Sequence, residues 1–272
     1  FVGWQPLAHF GHPLCFIDHL AIRRDFGARQ RPDVAVKRFV RHAQPVRQTG
    51  LPPSIWYKPP GQIDRQCVVR TRVHHPVYGL GPIVTKSYFI HPDVFSGRFP
   101  LPVVSLATDP YGLFDYYKGT FIPGAAFEGA AFTGNYELSG RASERPAHID
   151  YFDGNKQKQL SQEIGIRVKG QWIRSLGQKC LGLYAREDYD VNEDDFDYAI
   201  FPNNNKPGTD TIIDEYKRLL LRQNGNDWGS NTNTMCRDAL AQSLLDHCNV
   251  KYQAYQPAMV YLNGEFWGLS NL

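Results

Sequence analysis

Residues 164–185 read IGIRVKGQWIRSLGQKCLGLYA. Ile164, Ile166 and Val168 alternate with Gly165, Arg167 and Lys169, and Leu181, Leu183 and Ala185 alternate in the same way beyond the connector GQWIRSLGQ. A period of two places alternate side chains on one face of a strand. The stretch therefore predicts two antiparallel strands, Ile164–Lys169 and Lys179–Ala185. Upstream, Ala147–Phe152 (AHIDYF) is a short strand that ends at the turn signal Asp153-Gly154, and Phe99–Thr108 (FPLPVVSLAT) is a strand that opens the domain. Between them, 109–140 is rich in Gly, Tyr and Phe and reads as loop. Downstream, Tyr216–Arg222 (YKRLLLR) is a buried strand that stops at QNGNDWGSN. Met235, Ala239, Leu240, Leu244, Leu245 and Cys248 then share one face at helical spacing, which predicts a helix over 235–248 with Thr234 or Asn233 as N-cap. Ala258–Leu262 and Glu265–Leu269 flank Asn263-Gly264, a strong hairpin signal. Strands, one helix and a closing hairpin give an α+β, antiparallel-sheet-rich domain.

The residues before this domain differ in character. Of the 30 basic and 27 acidic residues, 14 and 5 fall in 1–98, leaving 16 and 22 in 99–272. The net +3 is too small to argue for nucleic acid. Residues 1–55 form an irregular basic segment, either a disordered linker or a misread frame, with a weak helical reading at Val34–Arg41. In 56–95, CVVRTRV (67–73) and IVTKSYFI (83–90) alternate about HHPVYGLGP and predict a β-hairpin. The domain 96–272 follows a linker at Asp93–Pro100. A content of 42% hydrophobic and 13% aromatic residues supports packed cores. Cys15, Cys67, Cys180, Cys236 and Cys248 form no CxxC pair, and no histidine stands in a zinc-ligand spacing, so neither a disulfide scaffold nor a metal site is expected. No run reaches the roughly 18 apolar residues of a membrane helix, and no signal peptide opens the chain.

Six blocks carry a resemblance: PVVSLATDPYGLFD, ERPAHIDYFD, GIRVKGQWIRSLGQKCLGLYAR, YKRLLLRQNGNDW, MCRDALAQSLL and AYQPAMVYLNGEFWGLSNL. In this order they resemble the N-terminal part of the CotH spore-coat kinase family, in the form found in secreted bacterial proteins. The resemblance implies a protein-kinase-like small lobe, an extracellular or cell-surface location, and transfer of phosphate from ATP, with Mg2+, to a protein substrate. IDRQCVVRTRVHHPVYGLGPIVTKSYFI (63–90) is similar to the C-terminal part of the β-sandwich repeat of chitobiases and β-hexosaminidases.

The same resemblance makes Lys179 the phosphate-contacting lysine, a role that suits a flexible ammonium anchored on a strand. Gly170, after the strand, lets backbone approach phosphates, although GIRVKGQW is not a P-loop. Arg167, Lys169 and Arg174 add positive charge. Asp238 is the acid expected to pair with Lys179, with Arg237 as its other available partner. Asn224, Asn226 and Asp227 form either a polar site or a capped turn. The family's general base and metal carboxylates follow its NGE(Y/F)WG hairpin, so the catalytic residues stay unknown and the chain is expected to be an inactive fragment. The alternative is a non-catalytic cell-surface or carbohydrate-associated structural module, in which Trp172, Trp228, Trp267 and the Tyr111–Tyr136 stretch stack on polysaccharide.

Overall fold

The computed structural model describes residues 33–37, 65–89, 100–130, 132–206, 208–223, 227, 234–245, 248, 250 and 252–272. The chain divides into two units, 1–38 with 69–84, and 39–68 with 85–272. In the first, strand β1 (Asp33–Lys37) pairs antiparallel with β2 (Cys67–His75) from Asp33↔His74 to Lys37↔Arg70. A strand thus overlaps Val34–Arg41, where the spacing suggests a weak helix; the alternation in DVAVK suits the pairing. His75 Nδ1 accepts the amides of Val77 and Tyr78, each at 3.1 Å, and turns the chain into β3 (Gly79–Leu80). The other predicted hairpin strand is β4 (Val84–Tyr88). The rest of 1–55, and the linker before Pro100, lie outside the described residues.

The second unit is built on one curled sheet. In chain order its strands are β5 (Val103–Thr108), β6 (Arg145–Phe152), β7 (Lys158–Lys169) and β8 (Cys180–Tyr184), followed by the small ladder β9 (Phe196–Asp197) with β10 (Glu215–Tyr216), then β11 (Arg218–Leu221), β12 (Pro257–Leu262) and β13 (Glu265–Asn271). The sheet order is β11-β8-β7-β6-β5-β12-β13. Neighbours are antiparallel except β5 and β12, which run parallel from Val103↔Met259 to Leu106↔Leu262. The end strands then meet: Arg222 and Asn271 exchange backbone hydrogen bonds of 2.7 and 2.9 Å, closing the sheet on itself at this point.

Closure gives the strands an inside and an outside. Val104, Leu106, Ile149, Ile164, Ile166, Leu183, Leu221 and Val260 fill the inside. On the outside, Val103, Phe152, Met259 and Tyr261 form a second apolar layer under Phe89, whose ring meets Phe152 edge-on at 5.1 Å. All six residues of β5 are therefore buried: Val103, Val104, Leu106 and Ala107 pack on its two faces, while the Ser105 hydroxyl lies 2.9 Å from that of Ser87 and the Thr108 hydroxyl donates to the Pro146 carbonyl at 2.6 Å. Each large side chain so buried contributes about 1.5–3 kcal/mol. At the hairpin, Asn263 and Gly264 have φ of 51° and 84°, the left-handed pair that a two-residue turn requires. Asn263 also ties the turn to β5, its side-chain oxygen accepting the Thr108 amide at 2.8 Å.

The unit is mostly β, so the α+β expectation holds only coarsely: among the described residues the α-helices are α1 (Pro110–Phe114) and α2 (Arg237–Ser243). Helix α1 lies in the stretch read as loop, and Asp109, which accepts the Tyr111 amide, and Pro110 in the first turn start it. Helix α2 is shorter than the predicted 235–248, and Ala239 is its buried residue, while Leu240 and Leu244 are exposed. Its start is set by Asp227, whose carboxylate accepts the amides of Arg237 and Thr234 and the Thr234 hydroxyl, each at 2.9 Å. Thr234, one of the expected caps, is thus engaged in holding the residue that does the capping.

Candidate functional site

Lys179 stands immediately before β8 and is 4% exposed. Its ammonium donates to the carbonyls of Arg174 at 2.5 Å and Leu176 at 2.7 Å, and lies 4.6 Å from the centre of the Tyr136 ring. Burial pushes its pKa down to about 7, with the charge of Glu137 pulling the other way. The connector that forms this cage closes on itself: Arg174 Nε donates to the Gly170 carbonyl at 2.6 Å and its NH1 to that of Glu137 at 3.0 Å. Gly170 has φ of 105°, and a Cβ there would lie 2.4 Å from Ile173 Cγ1. Gly170, Arg174 and Lys179 thus form one assembly.

Arg167 belongs to a second assembly on the outside of the sheet. Its guanidinium stacks on one side of Tyr184 at 4.9 Å and Arg186 stacks on the same ring at 4.9 Å. Both reach the buried carboxylate of Glu144, Arg167 at 3.7 Å and Arg186 at 3.0 Å, and Tyr189 donates to it at 3.2 Å. Gly165 makes room for this, since a Cβ would lie 2.4 Å from the Tyr189 ring and 2.8 Å from Glu144 Oε2.

Lys169 and Asp238 come together elsewhere, in a groove of about 400 Å³ on the outside of β8 and β11, walled by α2 and residues 253–255. Asp238 does not pair with Lys179 there. It forms an ion pair of 2.9 Å with Arg222, just past the end of β11, while Arg237 pairs with Asp227 at 3.1 Å. Lys169 and Arg218 line the same groove, and among the described residues neither makes an ion pair. Gly182 keeps the floor low, because a Cβ would press on Lys169 Cγ at 3.1 Å and the Tyr184 hydroxyl at 2.9 Å. Arg218 and Arg222 were not singled out from the sequence. Their signal was the alternation in RLLLR, which sends 218 and 222 to the same face of the strand.

Residues 166–272 match the family model described as CotH kinase protein. The chain therefore carries a CotH-like, kinase-related region that begins on β7 and includes Lys179 with the connector carbonyls it meets, the groove and α2, while Tyr136 of the cage precedes it. No curated protein and no solved structure matches the chain.

Other candidates are placed as follows. Trp267 packs inside the sheet against Phe114 and Phe121, with ring centres at 6.4 and 6.0 Å. Trp228, Asn224, Asn226 and the Trp172 side chain lie outside the described residues, and Asp227 serves as the cap of α2. Among the described residues no group of three or more His, Cys, Asp and Glu is placed to hold a metal ion, and no helix is long and apolar enough to cross a membrane.

Proposed function

We propose that the groove between β8, β11 and α2 binds the phosphates of ATP, in a CotH-like kinase that transfers phosphate to protein side chains outside the cell or at its surface. The observation that carries this reading is the meeting of Lys169, Arg218 and the Arg222–Asp238 pair in one open groove within the matched region. The Arg222–Asp238 pair is neutral as a whole, so the positive charge of the groove comes from Lys169 and Arg218, with the Arg222 guanidinium held in place beside them. Charge-assisted hydrogen bonds from such groups to phosphate oxygens contribute about 1.5–3 kcal/mol each. The donor set fits phosphates. It does not fit a magnesium ion held by protein, since Asp238 is the one carboxylate among the groove residues and is engaged by Arg222.

A non-catalytic structural module is the second reading, favoured by the cages themselves. The ammonium of Lys179 and the guanidinium of Arg167 are both occupied within the fold, as charges retained for stability are. Equilibrium binding separates the two. The nucleotide reading predicts that ATP binds and that adenosine, which lacks the phosphates, binds far more weakly; equal or absent binding of both supports the structural module.

A further inference from the structure

We propose that His148 is the pin of a pH-sensitive clasp that fastens residues 85–89 to the outer face of β6 and β7. The clasp grows from two cross-strand pairs, His148 opposite Glu163 and Asp150 opposite Ser161. His148 is 4% exposed, and both of its ring nitrogens face carboxylates: Nδ1 lies 2.8 Å from Glu163 Oε1 and Nε2 lies 3.4 Å from Asp150 Oδ1. Ser161 Oγ is also 3.4 Å from Nε2.

The same acids and their neighbours hold the strand segment. Asp150, fully buried, accepts the Ser87 amide at 2.7 Å and faces Lys158 Nζ at 3.0 Å. Lys158 also donates to the Ser87 carbonyl at 3.3 Å, Lys86 donates to Ser161 at 2.6 Å, and the hydroxyls of Ser87 and Ser105 are 2.9 Å apart. Asp190 accepts the Glu163 amide at 3.3 Å, which adds a third carboxylate. Lys86 on the segment and Lys158 at the start of β7 are the cations of the clasp.

Only the imidazolium can donate from both nitrogens. A neutral ring presents a lone pair to one of the two carboxylates, and the three acids then face two cations rather than three. Burial pulls the His148 pKa down, but the hydrogen bonds and charges of Asp150 and Glu163 outweigh it and raise it above 6.5. A raised histidine pKa gives stabilisation that is complete below the unfolded value and is lost as pH rises through the folded value. The clasp is therefore tight on the acid side and loosens towards alkaline pH, with the Ser87 amide as its reporter.

The test is NMR titration of His148 together with hydrogen exchange of the Ser87 amide, corrected for the intrinsic pH dependence of exchange. The clasp predicts a His148 midpoint above 6.5, and a protection factor for Ser87 that falls about tenfold for each unit by which that midpoint is raised. His148→Gln abolishes the pH step. Glu163→Gln, at a side chain that is 33% exposed and so tolerant of change, moves the step to lower pH and decides the matter if His148→Gln does not fold. A His148 midpoint at or below 6.5, or Ser87 protection that does not follow the titration, overturns the proposal.

Discussion

Arg222 and Asp238 form an ion pair of 2.9 Å that joins the end of β11 to the first turn of α2. Their side chains are 36% and 32% exposed, so the pair is screened and contributes little to global stability. Its weight is local. Helix α2 buries only Ala239 among its described residues, so beyond the Asp227 cap at its start this pair is what ties it to the sheet.

Asp238→Ala is therefore expected to lower global stability by less than about 1 kcal/mol while the amides of 237–243 lose much of their hydrogen-exchange protection. A double-mutant cycle with Arg222→Ala should return a coupling of roughly 0.2–1 kcal/mol. Unchanged exchange in the helix shows that the pair does not position it.

Lys179→Met removes the buried ammonium that donates to the part-buried carbonyls of Arg174 and Leu176. Each lost hydrogen bond costs about 0.5–1.5 kcal/mol, so urea denaturation should show a loss of about 1–3 kcal/mol. The pH dependence has a definite sign. The unfolded lysine stays protonated up to its ordinary 10.5, while burial pushes the folded one down to about 7. Between these values the unfolded chain binds more protons, so this residue makes stability rise with pH across that window. Lys179→Met should flatten that rise.

Gly165→Ala brings a methyl into the Tyr189 ring and Glu144. Overpacking of this kind costs about 1–3 kcal/mol, and here it also displaces the carboxylate that Arg167 and Arg186 share. Thermal unfolding should show the loss, with wild-type stability as the contrary result.

The strands were legible because their alternation is local: Ile164, Ile166 and Val168 point inward in β7 as their spacing implies. The closure of the sheet was not, because the parallel pairing of Val103 with Met259 and the Arg222–Asn271 bridge join residues far apart in sequence. The helical spacing of Leu240 and Leu244 misled, since periodicity reports a shared face without saying that anything covers it. For the site, the resemblance points Asp238 at Lys179, whereas its partner in the fold is Arg222 at the end of β11, a pairing that no local pattern encodes. The resemblance implies a phosphate-contacting role for Lys179; its cage of backbone carbonyls and the Tyr136 ring some forty residues upstream is something about which the connector's own sequence is silent.

The most direct test of the central claim is a calorimetric ATP titration of the chain and of its Lys169→Ala and Arg222→Ala variants, each first shown to be folded by circular dichroism. Binding through the groove predicts that each variant weakens ATP affinity by about tenfold or more, and that the loss shrinks as salt is raised. ATP affinity that is undetectable in the folded wild-type chain, or unaltered in both variants, would contradict it.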